Sequence, residues 1–184
     1  MTLLSGDRKI SKAHGRISFR GLIDSLEADV IEAQVLASER GEEALCVSFG
    51  EVLSFLREIM AAEVKETPLK PLFLFGMNAD EIHWRSHNAG LFVLPDYSQG
   101  ALAARINSLR ARVREVELVA VKVMGAEQMA DKPRDDIIVA LNRLSSALWW
   151  LFCSYVDQKR GQKNDPKNDQ ENILEKGPEN GFLD

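Results

Sequence analysis

Three groups of side chains have the types and spacing to do chemistry. Arg105, Ser108, Arg112 and Glu115 recur at steps of three, four and three, and a helix of 3.6 residues per turn lines them up as one polar stripe. Arginines on such a stripe suit a polyanionic ligand, because each guanidinium offers several N–H donors to phosphate oxygens. A plain ion pair between Arg112 and Glu115, one turn on, uses the same geometry. The second group is basic: Arg8, Lys9, Lys12, Arg16 and Arg20, interrupted by His14 and Gly15. Such a run can hold phosphates, and it reads equally as a solvated approach to a first helix. The third is Glu81 with His83 and His87, an i,i+4 imidazole pair that can bind a metal if the segment is helical. It lacks the HExxH pattern and the Glu-x-x-His pairing of di-iron bundles, and packing in a loop accounts for it as well, so no metal site is assigned. No GxSxG, P-loop or GxGxxG is present, so any nucleotide must bind without a glycine-rich cradle.

The elements that position these groups are helical. Leu102, Ile106, Leu109, Val113, Val116 and Ala120 form an apolar stripe bordering the Arg112 stripe, and Ala104 and Ala111 on the far side leave room for a neighbouring backbone. A helix approachable from several sides suits the middle of a bundle. Pro95, Asp96 and Ser98 mark its start, with Ser98 expected as N-cap. A first helix is predicted from Phe19 to near Gly41, with Asp24 one turn from Arg20 as an ordinary surface pair. A second spans Glu42 to Lys65, where Gly50 costs about 1 kcal/mol against alanine unless a neighbour uses the space. The PLFLFGM run reads as a short extended or irregular buried segment, and Asn78 to Ser86 as a brief helix capped by Asn78 or Asp80. A last helix starts after Pro133 and runs to about Lys159, with Trp149 and Trp150 on different faces. The prediction is an all-α helical bundle of four to five helices within one domain, residues 1–160. From Gly161 to Asp184 the composition shifts to Asn, Asp, Lys, Glu and Pro, and a flexible polar tail is expected.

Composition narrows the classes further. With 184 residues, 45% hydrophobic and 28% charged, the chain is large enough for one sizeable core. A net charge of −5 argues against general binding to nucleic acid or anionic membranes, so any anion site must be concentrated. The opening residues lack a signal-peptide core and no later segment is expected to approach the length of a membrane span, which predicts a cytoplasmic protein. Cys46 and Cys153 stand apart from each other and from any CxxC pattern, as small core residues would.

Four stretches taken together resemble the ATP:cob(I)alamin adenosyltransferase family. RKISKAHGRISFRGLIDSL is similar to that family's segment of Lys, Arg, Gly and Asp opening the first long helix, here Lys12, Arg16, Gly21 and Asp24. FVLPDYS, beginning at Phe92, resembles its Phe-x-x-Pro segment, and Arg112 with Glu115 its Arg-Arg-x-Glu helix. LNRLSS, containing Asn142, resembles Leu-Asn-Arg-Leu-Ser-Asp. The forms FVLPDY, RVREVEL and DEIHWRSH look closest to the ethanolamine-utilization branch, and the likeness covers most of Arg8 to Tyr155.

The resemblance implies a helical bundle, trimeric in the best-known branch, with ATP and corrinoid meeting at a subunit interface. Cob(I)alamin attacks the 5′ carbon of ATP and expels triphosphate, assisted by a divalent cation, expected to be Mg2+. By the same likeness the cations Lys12, Arg16 and Arg112 would hold the triphosphate, Glu115 would belong to the same ATP site, Asn142 would orient the nucleotide, Asp24 would serve the interface, and Phe92 would be the apolar wedge under the corrinoid's lower face. The adenosylcobalamin product would serve a dependent lyase such as ethanolamine ammonia-lyase. Ser108 stands where the propanediol-type branch has a further arginine, Ser146 replaces an aspartate, and both that branch's N-terminal phosphate loop and the cysteine-rich segment of some ethanolamine-type enzymes are missing. These departures leave an alternative: a corrinoid-binding or assembly protein of the same fold without transfer activity.

Overall fold

The computed structural model describes residues 2–5, 8–10, 14–88, 93–125 and 133–163. Within them the chain forms the expected helical bundle. A two-stranded hairpin, β1 (Thr2–Ser5) and β2 (Arg8–Ile10), precedes α1 (Gly15–Glu39) and α2 (Glu43–Lys65). A second hairpin, β3 (Phe73–Leu74) and β4 (Met77–Asn78), leads into α3 (Ala79–Asn88), and α4 (Gly100–Met124) and α5 (Asp135–Lys163) complete the body. α1 packs on α2 and α4, α4 packs most extensively on α5, and α3 lies against α5. Cross-contacts at both ends, such as Arg16 to Glu63 and Gln34 to Cys46, show that α1 and α2 run antiparallel. The up-and-down order follows from short connections between amphipathic helices.

The long helices bury apolar stripes at helical steps, that of α4 being the predicted one. Phe19, Ile23, Leu26, Val30, Ala33 and Ala37 of α1 meet Leu102, Ile106, Leu109, Val113, Val116 and Ala120 of α4, all in one continuous core. Full burial of a single Phe or Leu in such a core stabilises by about 1.5–3 kcal/mol. Gly50 finds its compensating neighbour in Gln34: the side-chain amide donates to the Cys46 carbonyl at 3.0 Å and would lie 3.4 Å from a Cβ at position 50. Trp149 stacks on Phe152 and Trp150 on Phe75, so the two tryptophans do serve different surfaces.

Helix ends differ from the sequence expectation in instructive ways. α1 begins at Gly15 rather than Phe19, because the His14 ring accepts a hydrogen bond from the Arg16 amide and caps it. Ser98 does not cap α4, which starts after Gln99 without a side-chain cap; Asp96 instead caps the preceding 3-10 turn at Tyr97–Gln99, its carboxylate accepting from the Ser98 amide at 2.9 Å while the Gln99 side chain accepts from the Asp96 amide. Asn78 caps α3 as expected. The β3–β4 turn places Phe75 at φ 57° and Gly76 at φ 74°, the pair of positive values a tight two-residue hairpin requires. Phe75 tolerates it because Glu51 holds its amide at 2.6 Å and Trp150 stacks on its ring.

Two expectations are corrected. α5 runs through Gly161 to Lys163, past the predicted end near Lys159, and the expected tail from 164 onward lies outside the described residues. The helix Asp135–Gln162 is long and apolar enough to cross a membrane by length and composition, contrary to the reading that no segment approaches that length. Its apolar window is 56% buried within the bundle, and a central helix covered by α3 and α4 on different sides must be apolar over much of its circumference for that reason.

Candidate functional site

The polar stripe of α4 lies along the seam with α1. Arg112 Nε is 3.4 Å from Asp29 of α1, and its Nη1 donates to Glu115 at 3.0 Å. Arg105, two turns earlier on the same stripe, pairs with Glu32 and approaches Asp29 at 3.7 Å. Arg112 is half exposed, and its guanidinium is held above its usual pKa by Glu115 first and Asp29 second, so it is a permanent cation aimed by two carboxylates. Asp29 was not singled out from sequence. It falls on a helical flank that only the approach of α4 makes meaningful.

Arg16 has a different setting. Its Nε donates to Glu63, its Nη1 to Glu66 at 2.6 Å and its Nη2 to the Glu63 carbonyl at 2.9 Å, while Arg20 Nε takes the other Glu63 oxygen at 2.5 Å. Burial works against the Arg16 charge, but the hydrogen bonds it donates to Glu66 and Glu63 outweigh it and raise the pKa. The cluster joins the start of α1 to the end of α2, and Arg20 turns to Glu63 across the interface. Asp24 is exposed on the outer face of α1. Glu63 carried a signal that the sequence reading passed over: it continues the apolar progression of Val52, Leu56 and Ile59 at helical steps, where a carboxylate must find buried cations.

Asn142 sits on α5 and donates to Glu117 of α4 at 3.0 Å, with Arg143 donating back to it at 3.1 Å. Glu117 is on the α5 side of α4 and Arg112 on the α1 side, so one copy of the chain does not bring Asn142 and Arg112 together. Lys12 and Phe92 lie outside the described residues. The residues just after Phe92 line an open cavity of about 490 Å3, where Val93, Leu94 and Asp96 face Val156, Lys159 and Arg160 of α5. Lys159 pairs with Glu42 at 2.5 Å, which puts this cavity at the end of the bundle where α2 begins. Cys153 stays an inert core thiol, with burial pushing its pKa up.

Glu42 and Glu63 mark opposite ends of α2, 21 residues and so about 31 Å apart at 1.5 Å per residue. The cavity after Phe92 and the Arg16 cluster are therefore separated by nearly the length of the bundle within one copy. Arg134, also missed from sequence, bolts the Arg16 end together. Its guanidinium donates to the carbonyls of Ala62 at 3.2 Å and Thr67 at 2.9 Å and to Asp136 at 2.9 Å.

Comparison with known proteins places this geometry. The family model described as cobalamin adenosyltransferase matches residues 1–155. The chain is 33% identical over 157 residues to the corrinoid adenosyltransferase EutT of Salmonella typhimurium strain LT2 and 32% identical over 157 residues to EutT of Escherichia coli K12. In both cases the match covers 83% of this chain and 57% of the relative, so the chain spans little more than half the length of these curated relatives. No solved structure gives a significant match. A family match that runs through all five helices as far as Tyr155, joined to relatives above 30% identity, leaves one assignment: the chain belongs to the cobalamin adenosyltransferase family.

Proposed function

We propose that the chain is a corrinoid adenosyltransferase that moves the 5′-deoxyadenosyl group of ATP to cob(I)alamin. The observation that carries this is the family match across residues 1–155, which includes every segment singled out for ATP or corrinoid. In the reaction cobalt attacks the 5′ carbon, the Co–C bond forms as the C–O bond breaks, and triphosphate leaves with the electron pair. The leaving group gathers negative charge, so a cation fixed in advance is worth more there than a mobile one. Arg112 suits this role because Asp29 and Glu115 orient its guanidinium and two contacts do not exhaust a five-donor fork.

Lys12 supplies a second cation to the triphosphate in this proposal, and Asn142 orients the nucleotide. Arg16, whose guanidinium is engaged by Glu63 and Glu66, anchors the basic segment that carries Lys12 and reaches triphosphate only in exchange for those carboxylates. A Mg2+ ion would arrive on the triphosphate, where it supplies charge neutralisation, with Glu115 as the carboxylate of the nucleotide set able to hold it. This fits the donor set, since Mg2+ asks for few protein ligands when phosphates are present.

Phe92 is the apolar wedge against the corrinoid, with the cavity beside Val93 receiving part of that ligand. The separation of about 31 Å along α2 between that cavity and the Arg16 end supports a homo-oligomer, a trimer by family likeness, in which neighbouring copies complete each site and Asp24 serves the interface. We further propose a cytoplasmic location, a working domain that extends to the end of α5 at Lys163 with 164–184 as an appendage, and an adenosylcobalamin-dependent lyase, such as ethanolamine ammonia-lyase, as client.

The deciding experiment mixes the protein with ATP and chemically reduced cob(I)alamin and follows the spectrum for adenosylcobalamin. Product formation dependent on protein is the expected outcome. Tight corrinoid binding without product would make it a binding or assembly protein, and binding of neither substrate would overturn the assignment.

A further inference from the structure

His83 and His87 of α3 play no part in adenosyl transfer as proposed above, yet their rings lie close enough together to share one ion. The two rings stand one helical turn apart on an exposed face, with centroids separated by 4.5 Å and planes inclined at 53°. His87 Nδ1 lies 2.9 Å from the backbone carbonyl oxygen of His83. A carbonyl oxygen carries no proton, so Nδ1 must be the donor, and in the neutral imidazole that leaves the lone pair on Nε2, across the ring from the backbone. The Ser86 hydroxyl lies 3.0 Å from the same Nδ1 and donates to the same carbonyl at 2.9 Å, which restrains the ring. A backbone acceptor behind one nitrogen, fixing tautomer and orientation, is the usual support of a metal-ligating imidazole. The spacing also fits: with Zn–N bonds of about 2.0–2.1 Å, two imidazoles in adjacent positions on one ion have centroids roughly 4.5–5.2 Å apart.

We propose that His83 and His87 form a two-imidazole site for a borderline divalent transition-metal cation, of the Zn2+, Ni2+ or Cu2+ class. Hard Mg2+ and Ca2+ prefer oxygen ligands and are not its occupants. No third His, Cys, Asp or Glu joins the pair among the described residues, so water or an outside ligand completes the coordination. The ion clamps the last turn of α3, the helix that packs on α5 and leads toward Phe92. The simpler role for basic residues there is to complement the helix dipole. That role uses their charge and makes no demand on the close approach of the two rings or on the tautomer of His87. The proposal is independent of adenosyl transfer.

Untagged full chain, stripped with a chelator, is titrated with Zn2+ and with Ni2+ at neutral pH while bound metal is counted and the melting temperature followed. Expected are one ion per chain, a rise in melting temperature on binding, and binding weakened at least about tenfold in both His83→Ala and His87→Ala, since loss of a ligand costs no less than loss of its support. His14→Asn, which keeps a cap acceptor for α1, should bind as wild type does. Both α3 histidines are exposed, so circular dichroism of the variants should match wild type and separate failure to bind from failure to fold. Absence of binding to the wild-type chain, undiminished binding in either alanine variant, or loss confined to His14→Asn would each overturn the proposal.

Discussion

Arg16 of α1 and Glu63 of α2, distant in sequence, form an ion pair closed to solvent on both sides, their side chains 9% and 1% exposed. Because Arg20 takes the second Glu63 oxygen, one buried carboxylate answers two cations. Removing Glu63 takes the shared carboxylate from two largely buried guanidinium groups, whereas removing Arg16 leaves Glu63 with Arg20 as its remaining cation. Glu63→Ala is expected to lower stability by about 3–5 kcal/mol, and Arg16→Ala by less. The double substitution should cost clearly less than the sum, as measured by urea unfolding, because the two groups share one interaction.

Gly15 meets α4 closely: a Cβ there would come within 2.4 Å of Val123 Cγ1 and 3.1 Å of its Cβ. Gly15→Ala should destabilise by about 1–3 kcal/mol through overpacking. Val123→Ala in the same chain opens the space, so the double variant should recover most of that loss. Additive effects in thermal unfolding would show that α1 and α4 do not make this approach.

Asp136 accepts from Arg134 and from the Leu69 amide at 2.9 Å. Burial pushes its carboxyl pKa up, but these contacts more than offset it and the net shift is downward. A depressed carboxyl pKa contributes stability above the unfolded value near 3.9, and that contribution is lost as pH falls through the folded value. Asp136→Asn should therefore melt about 2–4 °C below wild type at pH 7, corresponding to about 1 kcal/mol for a partly exposed charged contact. The gap should narrow in melting curves as pH falls below the unfolded carboxyl value and close once it has passed the lower folded one.

Arg112→Ala should reduce adenosyl transfer on the order of a hundredfold, as loss of one preorganised contact to a charged transition state does. Its melting temperature should stay near wild type, because exposed ion pairs with Asp29 and Glu115 contribute little to folding. Turnover unchanged with a lowered melting point would reduce Arg112 to a seam between α1 and α4.

Phe92→Ala distinguishes a wedge from a core closure. As a wedge, it acts on axial coordination and hence on reduction, so the variant should remain folded and active with preformed cob(I)alamin yet fail with cob(II)alamin and a mild reductant. As core, it should lose roughly 3–5 kcal/mol of stability and equal fractions of both activities. Parallel assays from the two cobalt states decide.

The bundle itself was legible in the sequence, because burial of an amphipathic stripe depends only on which residues recur at helical steps. The apolar stripes running from Leu102 to Ala120 and from Phe19 to Ala37 are buried as their spacing required. Caps were legible where their chemistry was local, as at Asn78, and missed where two residues competed, as at Asp96 and Ser98. Partners were not legible. Arg20 has Asp24 one turn away and reaches Glu63 of another helix instead, and Arg112 has Glu115 one turn away and gains Asp29 as well. Periodicity reports which face of a helix is polar, but not which helix will lie against it or at what height. The family resemblance likewise grouped Arg16, Arg112 and Asn142 as one candidate site. The packing of α1, α4 and α5 distributes them over different seams of the bundle, because each helix turns a given flank toward only one neighbour.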